Sequence, residues 1–126
     1  MAERLSPHPH PRVPLSDPRA VDPEEALVAA LAGCHMLFFL SFSARKGFTV
    51  ESYADEAMGT MTKDKDGREW ISTVTLTPCI VFGGKRRPTA ADAHEIHHRA
   101  HAACYIANTV KTEINIVERN EGLASG

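Results

Sequence analysis

DPEEALVAALAGCHMLFFLSFSARKG, residues 22–47, decides how the rest of the chain must fold. Its start is written in helix-capping chemistry. Asp22 offers a side-chain oxygen to the first free N–H groups, Pro23 suits the first helical position, and Glu25 supplies the third residue of a capping box. The two acids also favour the positive end of the helix dipole. Arg45 and Lys46 suit the opposite end, and Gly47 suits the left-handed cap beyond it.

Between those signals, from Ala26 to Ala44, nearly every residue is apolar or small on all faces of the helix. A helix of that kind must be buried on all sides. Its length approaches a membrane span. Three observations argue against one: His35 sits near the middle, where an ionisable group is costly in lipid; Gly33, Ser41 and Ser43 dilute the apolarity; and the segment stands alone. The reading is a central core helix. A chain of 126 residues has few other elements to wrap it, so packing against the same helix of a second copy, as a homodimer, is expected.

Working outward, 48–62 reads as a strand with a bulge at Gly59, Lys63–Arg68 as a turn, and Trp70–Phe82 as a second strand. In the latter, Trp70, Val74, Leu76, Ile80 and Phe82 share one parity, opposite the threonines and Cys79. The two runs predict an antiparallel hairpin with one face on the core, with Pro78 marking an edge or bulge. Thr89 and Asp92 open a second helix that runs to about Ala103. A short helical turn (104–110) and a strand (112–117) follow. The class is α+β: an antiparallel sheet wrapped on a long apolar central helix. Residues 1–16 form an extended Pro/His-rich arm, 17–118 the folded domain and 119–126 a flexible tail.

The formal net charge of -2, from 14 basic and 16 acidic residues, argues against a nucleic-acid partner, which needs a concentrated positive field. The three cysteines, Cys34, Cys79 and Cys104, are odd in number and widely spaced, unlike a secreted disulfide framework. The N-terminal stretch lacks a signal-peptide core. These features predict a reducing cytoplasm, with neither nucleic acid nor membrane as partner.

Two segments carry a specific likeness. DPEEALVAALAGCHMLFFL resembles the first cysteine motif of the OsmC/Ohr hydroperoxide reductases, in which a Pro-Glu pair opens the central helix and a cysteine follows ten residues after the Glu. HHRAHAACYIANTVKTEI resembles the second, with an aromatic or apolar residue and an Asn after the cysteine. The resemblance covers roughly Asp17 to Glu118. It implies an intertwined homodimer that uses no cofactor. In it, Cys34 attacks an organic hydroperoxide and Cys104 resolves the resulting sulfenic acid as a Cys34–Cys104 disulfide. A dithiol of the dihydrolipoyl type then reduces that disulfide. It also implies a role for Glu24 in a charge network with an Arg facing the reactive cysteine. Family members draw that Arg from N-terminal strands before the central helix. Here an arm holding Arg4, Arg12 and Arg19 precedes it: either the arm folds back and supplies an Arg, or the chain is an N-terminally shortened, weakly active member.

The residues alone leave more open. Cys34 lies 12 positions beyond the N-cap, too deep for the dipole to lower its pKa, and apolar surroundings alone would raise it. A reactive Cys34 therefore requires a cation from another segment. Without one, a non-catalytic redox or hydrophobic-ligand-binding protein is the alternative. Glu24 could equally be a plain capping charge. It stands roughly 15 Å from Cys34 along a continuous helix, so only an antiparallel partner helix could bring a Glu24 there. Met36, Phe38, Phe39, Tyr105 and Ile106 are candidates for an apolar lining. A second alternative is a zinc hydrolase, because His94-Glu95-Ile96-His97-His98 fits H-E-x-x-H on a helix. That short pattern is weak, and the expectation is that no metal is held.

Overall fold

The computed structural model describes residues 2–5 and 22–125. Its elements run β1 (Ala2–Leu5), α1 (Pro23–Arg45), β2 (Thr49–Lys63), β3 (Glu69–Leu76), β4 (Pro78–Gly83), α2 (Ala90–Ala103), α3 (Tyr105–Thr109), β5 (Glu113–Ile116) and β6 (Arg119–Glu121). Residues 6–16 of the arm, with Arg12, and residues 17–21, with Arg19, lie outside the described residues; Arg4 falls in β1.

The helix ends form as the capping residues dictate. Asp22 accepts from the Glu25 N–H at 2.8 Å. At the far end Gly47 takes a φ of 79° and the Phe48 N–H reaches back to the Ser43 carbonyl, closing the last turn in the way glycine permits. Thr89 and Asp92 cap α2 reciprocally.

β2 and the run 69–83 form the expected antiparallel hairpin, but the second run breaks at Thr77 into β3 and β4. The cause is local. Pro78 has no N–H to give the ladder, and the Thr77 N–H turns to the buried Asp55 carboxylate at 2.7 Å. Side-chain parity survives the break: Val74, Leu76, Pro78, Ile80 and Phe82 are buried and Cys79 is exposed.

The expected bulge lies one residue beyond Gly59, where the register shifts between Thr60 and Met61. Gly59 has a different duty. A Cβ there would sit 2.9 Å from a methyl of Val28, so the glycine lets α1 settle onto the sheet. A second shift lies between Val50 and Ser52.

The sheet is mixed, not purely antiparallel. Its strand order is β5-β3-β2-β4-β6, with β1 pairing β2 off this path. β5 lies parallel to β3 and β6 parallel to β4. The reason is the helical crossover through α2 and α3, which returns the chain running in the direction it left. Residues 119–125, expected as a flexible tail, are placed on the fold. β6 pairs with β4, Leu123 packs on the core, and the Ala124 N–H donates to the Pro88 carbonyl at 2.8 Å. Three residues are too short for a strand signal, and only the parallel alignment beside β4 makes them one.

α1 lies across two hydrophobic clusters. Its first half meets an aliphatic one (Val28, Leu31, Ala32, Ala57, Val74, Leu76) and its second half an aromatic one centred on Phe39, Tyr53 and Phe82. Phe39 is fully buried, worth roughly 2–3 kcal/mol of transfer free energy. It is thus plain core and no part of an apolar lining.

Only 33% of the helix's most apolar 18-residue window is buried, although its length and composition would suffice to cross a membrane. Ala26, Ala30, Leu37, Ser41 and Ala44 are exposed at helical spacing, and Leu37 is 65% exposed.

Candidate functional site

Cys34 lies mid-helix, half-buried, on the side of α1 that meets α3. Cys104 is buried at the junction of the next two helices, serving at once as C-cap of α2 and N-cap of α3. Its extended backbone (φ -62°, ψ 114°) turns the chain there, and its sulfur accepts from the Ala107 N–H at 3.4 Å. Asn108 steadies the junction by donating to the Ala102 carbonyl at 3.0 Å.

Cys34 and Cys104, 70 positions apart in the chain, are thereby brought close enough for one sulfur to act on the other. Burial pushes the Cys104 thiol up to about 11, and the neighbouring Cys34 sulfur adds to this, while the Ala107 N–H works the other way. Cys104 is a protonated thiol at neutral pH. Cys34 is the more accessible of the two. One turn beyond it, Phe38 meets Tyr105 edge-on, ring centroids 5.1 Å apart. Tyr105 is 71% exposed, so the pair forms an aromatic shelf beside the thiols. Met36 packs partly on the aromatic cluster and Ile106 on the aliphatic one.

Glu24 is not part of this grouping. It lines a separate surface pocket of about 270 Å³ with Pro23, Leu27, Met61, Glu69, Trp70 and Ile71. α1 is continuous from Pro23 to Arg45, so its own Glu24 stays about 15 Å from Cys34 along the axis. Three arginines lie over rings: Arg45 and Arg99 over Phe42, and Arg86 over Phe48. Cys79 lies apart on the exposed face of β4, beside Arg119 in a pocket of about 390 Å³.

Among the described residues no group of three or more His, Cys, Asp or Glu could hold a metal. Glu95 is exposed and the His94 ring is hydrogen-bonded to Glu118. The α2 histidines instead line a cavity of about 140 Å³ with Ile116 and Glu118.

Sequence reasoning missed a buried polar chain on the other side of α1. His35 Nε2 and His97 Nδ1 are 3.1 Å apart, the rings stack at 5.4 Å, and His97 Nε2 meets Asn120 Oδ1 at 3.1 Å. The available signal was His35 itself: an imidazole in an all-apolar helix demands a buried partner. Which residue answers depends on tertiary packing that no local pattern encodes.

This arrangement defines a class: an α+β protein whose apolar central helix sets one cysteine against a second at a helix junction. The family comparison agrees, as the OsmC-like protein model matches residues 16–119, and the chain belongs to that family. An OsmC-like protein of unknown function from Vibrio cholerae is 47% identical, with a TM-score of 0.80 over 84% of this chain and 69% of that one. An organic hydroperoxide resistance protein from Elizabethkingia anophelis is 15% identical, TM-score 0.64, over 84% and 71% of the two chains. OhrB of Bacillus subtilis, also an organic hydroperoxide resistance protein, is 16% identical, TM-score 0.56, over 79% and 70%. These last two share the fold. No curated protein sequence matches.

Proposed function

We propose that the protein is a thiol-dependent peroxidase for organic hydroperoxides. The supporting observation is the adjacency of a half-exposed Cys34 and a buried, protonated Cys104 beside the Phe38–Tyr105 shelf. In the first step the Cys34 thiolate attacks the distal peroxide oxygen. The O–O bond breaks, the sulfur becomes a sulfenic acid, and the alkoxide leaves as an alcohol after protonation. In the second, Cys104 attacks the sulfenic sulfur, forming the Cys34–Cys104 disulfide and releasing water. A dithiol donor of the dihydrolipoyl type then reduces the disulfide and is itself oxidised. The aromatic shelf favours an apolar peroxide tail over hydrogen peroxide.

The active form in this reading is a cytoplasmic homodimer. The exposed stripe through Leu37 supports it, because so much apolar helix surface calls for a partner. An antiparallel partner helix would bring the partner subunit's Glu24 toward Cys34. Leu37→Glu is expected to shift the chain to monomer by light scattering coupled to size exclusion, with peroxide turnover lost in parallel. A monomeric wild type with full activity would remove the dimer from the proposal.

The decisive experiment is peroxide consumption with cumene hydroperoxide and dihydrolipoamide, followed by mass spectrometry of the thiols. A Cys34–Cys104 disulfide is expected. Unoxidised Cys34 under excess peroxide would leave the non-catalytic binding reading.

A further inference from the structure

The buried polar chain has a direction. Glu118 carries a carboxylate, which only accepts. The Asn120 amide nitrogen donates to it at 3.2 Å, so the Asn120 oxygen must face His97. That oxygen accepts, which puts the His97 proton on Nε2. Burial foremost lowers the His97 pKa and favours the neutral ring, so its Nδ1 is bare and accepts from His35 Nε2–H. The chain ends at His35 Nδ1, buried and without a hydrogen-bond partner among the described residues. One largely buried carboxylate, its side chain 20% exposed, thus fixes the tautomers of two imidazoles that are each only 1% exposed.

The place of this pair in the fold is as informative as its chemistry. His35 follows Cys34 directly on α1, and His97 lies two turns before Cys104 on α2. The hydrogen bond therefore ties together the two helices that carry or end on the cysteines. Most of the α1–α2 contact is otherwise apolar and non-directional, through Phe39, Ala93, Ile96 and Ala100. Apolar packing tolerates small slides; a hydrogen bond between locked tautomers fixes register.

We propose that His35 and His97 are positioning residues, locked by Asn120 and Glu118, that hold α1 and α2 at the separation the Cys34–Cys104 disulfide needs. This rests on the cysteine pair of the proposed peroxidase reading, but its test is independent of peroxide chemistry.

The full chain is treated with diamide, which oxidises neighbouring thiols without a hydroperoxide. Quenched mass spectrometry resolves two steps: the first adduct on Cys34, and its displacement by Cys104. Asn120→Leu frees the His97 tautomer without touching either cysteine. Its first step is expected to match wild type, while disulfide closure slows roughly tenfold or more, as a small misplacement of reacting groups costs rate. Closure at the wild-type rate in a folded Asn120→Leu chain would overturn the proposal. A second measurement holds even if that variant fails to fold. Nitrogen-15 NMR of the wild-type imidazoles at pH 7.5 is expected to show both His35 and His97 neutral with the proton on Nε2, and any other tautomer would overturn the lock. Slow closure in the variant beside an inert Cys34 toward cumene hydroperoxide would sustain the lock and sink only the peroxidase reading.

Discussion

Cys34 and His35 are successive residues of one helix, yet they face opposite physical situations. Cys34 is half-buried, next to a thiol and an exposed aromatic shelf; His35 is sealed, stacked on His97 and hydrogen-bonded to it. A rotation of about 100° along α1 separates a place built to react from a place built to stay fixed. Reactive groups need access and a partner that can move to them. Positioning groups need burial and a directional bond to the element they hold, and His35 has both, at the expense of leaving its Nδ1 without a hydrogen-bond partner among the described residues. The two residues should therefore respond to perturbation differently, Cys34 in the first step with peroxide, His35 in stability and in the closure of the disulfide.

The largest expected effect tests the reactive side. Cys34→Ser should abolish peroxide turnover by at least about a thousandfold, since removing a nucleophile leaves little residual chemistry. Thermal unfolding should hardly change, because Ser is near in size and the site is half-open. A large loss of stability with turnover retained would reverse the assignment of the two faces.

Next comes acid, which strikes the sealed side. Burial foremost, then the imidazoles of His97 and His101, lower the His35 pKa to about 3. Burial likewise lowers that of His97, against the pull of Asn120 and Glu118 and with the push of His94. The folded state thus binds fewer protons than the unfolded chain. The stability associated with neutral His35 is present above the unfolded value of 6.5 and drains away as pH falls from there toward 3. Between pH 7 and 4.5 this one histidine accounts for about 2–3 kcal/mol. Denaturant titrations at both pH values measure it, and His35→Phe, with a ring of similar shape, should flatten the slope. An equally steep slope in that variant would move the acid sensitivity elsewhere.

Gly59 sharpens the comparison from the other half of α1. A Cβ there meets the Val28 methyl at 2.9 Å, and a β-branched side chain in a helix has one strongly preferred rotamer and little room to yield. Gly59→Ala should cost about 1–3 kcal/mol, and Val28→Ala in the same chain should recover part of it. Additive losses in the double variant would show that the helix does not rest where the glycine allows.

Much of this was legible in the chain itself. Capping residues at Asp22, Thr89 and Asp92 and the left-handed Gly47 are local chemistry, so α1 and α2 could be read to within a residue. The parity of Val74 to Phe82 placed Cys79 outward for the same reason. Less legible were features set by neighbours distant in sequence. The break at Thr77 needs Asp55 to take its N–H; β5 and β6 become parallel strands only because two helices return the chain; Glu24 could not be separated from Cys34 until α1 was known to be unbroken. The His35–His97 contact belongs with these, as its residues are 62 positions apart.

The smallest expected effect concerns the third thiol, and it is the most exacting for the whole scheme. Cys79 is exposed on β4 beside Arg119 and away from both helices, so Cys79→Ser should leave peroxide turnover unchanged and stability within about 0.5 kcal/mol. Thiol counting gives that silence content. The reduced chain has three free thiols. If peroxide closes Cys34 onto Cys104 within one chain, one thiol should remain after oxidation, reactive without denaturant because Cys79 lies open to solvent. In Cys79→Ser none should remain. A disulfide-linked dimer on a non-reducing gel that vanishes in Cys79→Ser would mean that the exposed thiol competes for the sulfenic acid. The protected position of Cys104 would then not be what directs the oxidation.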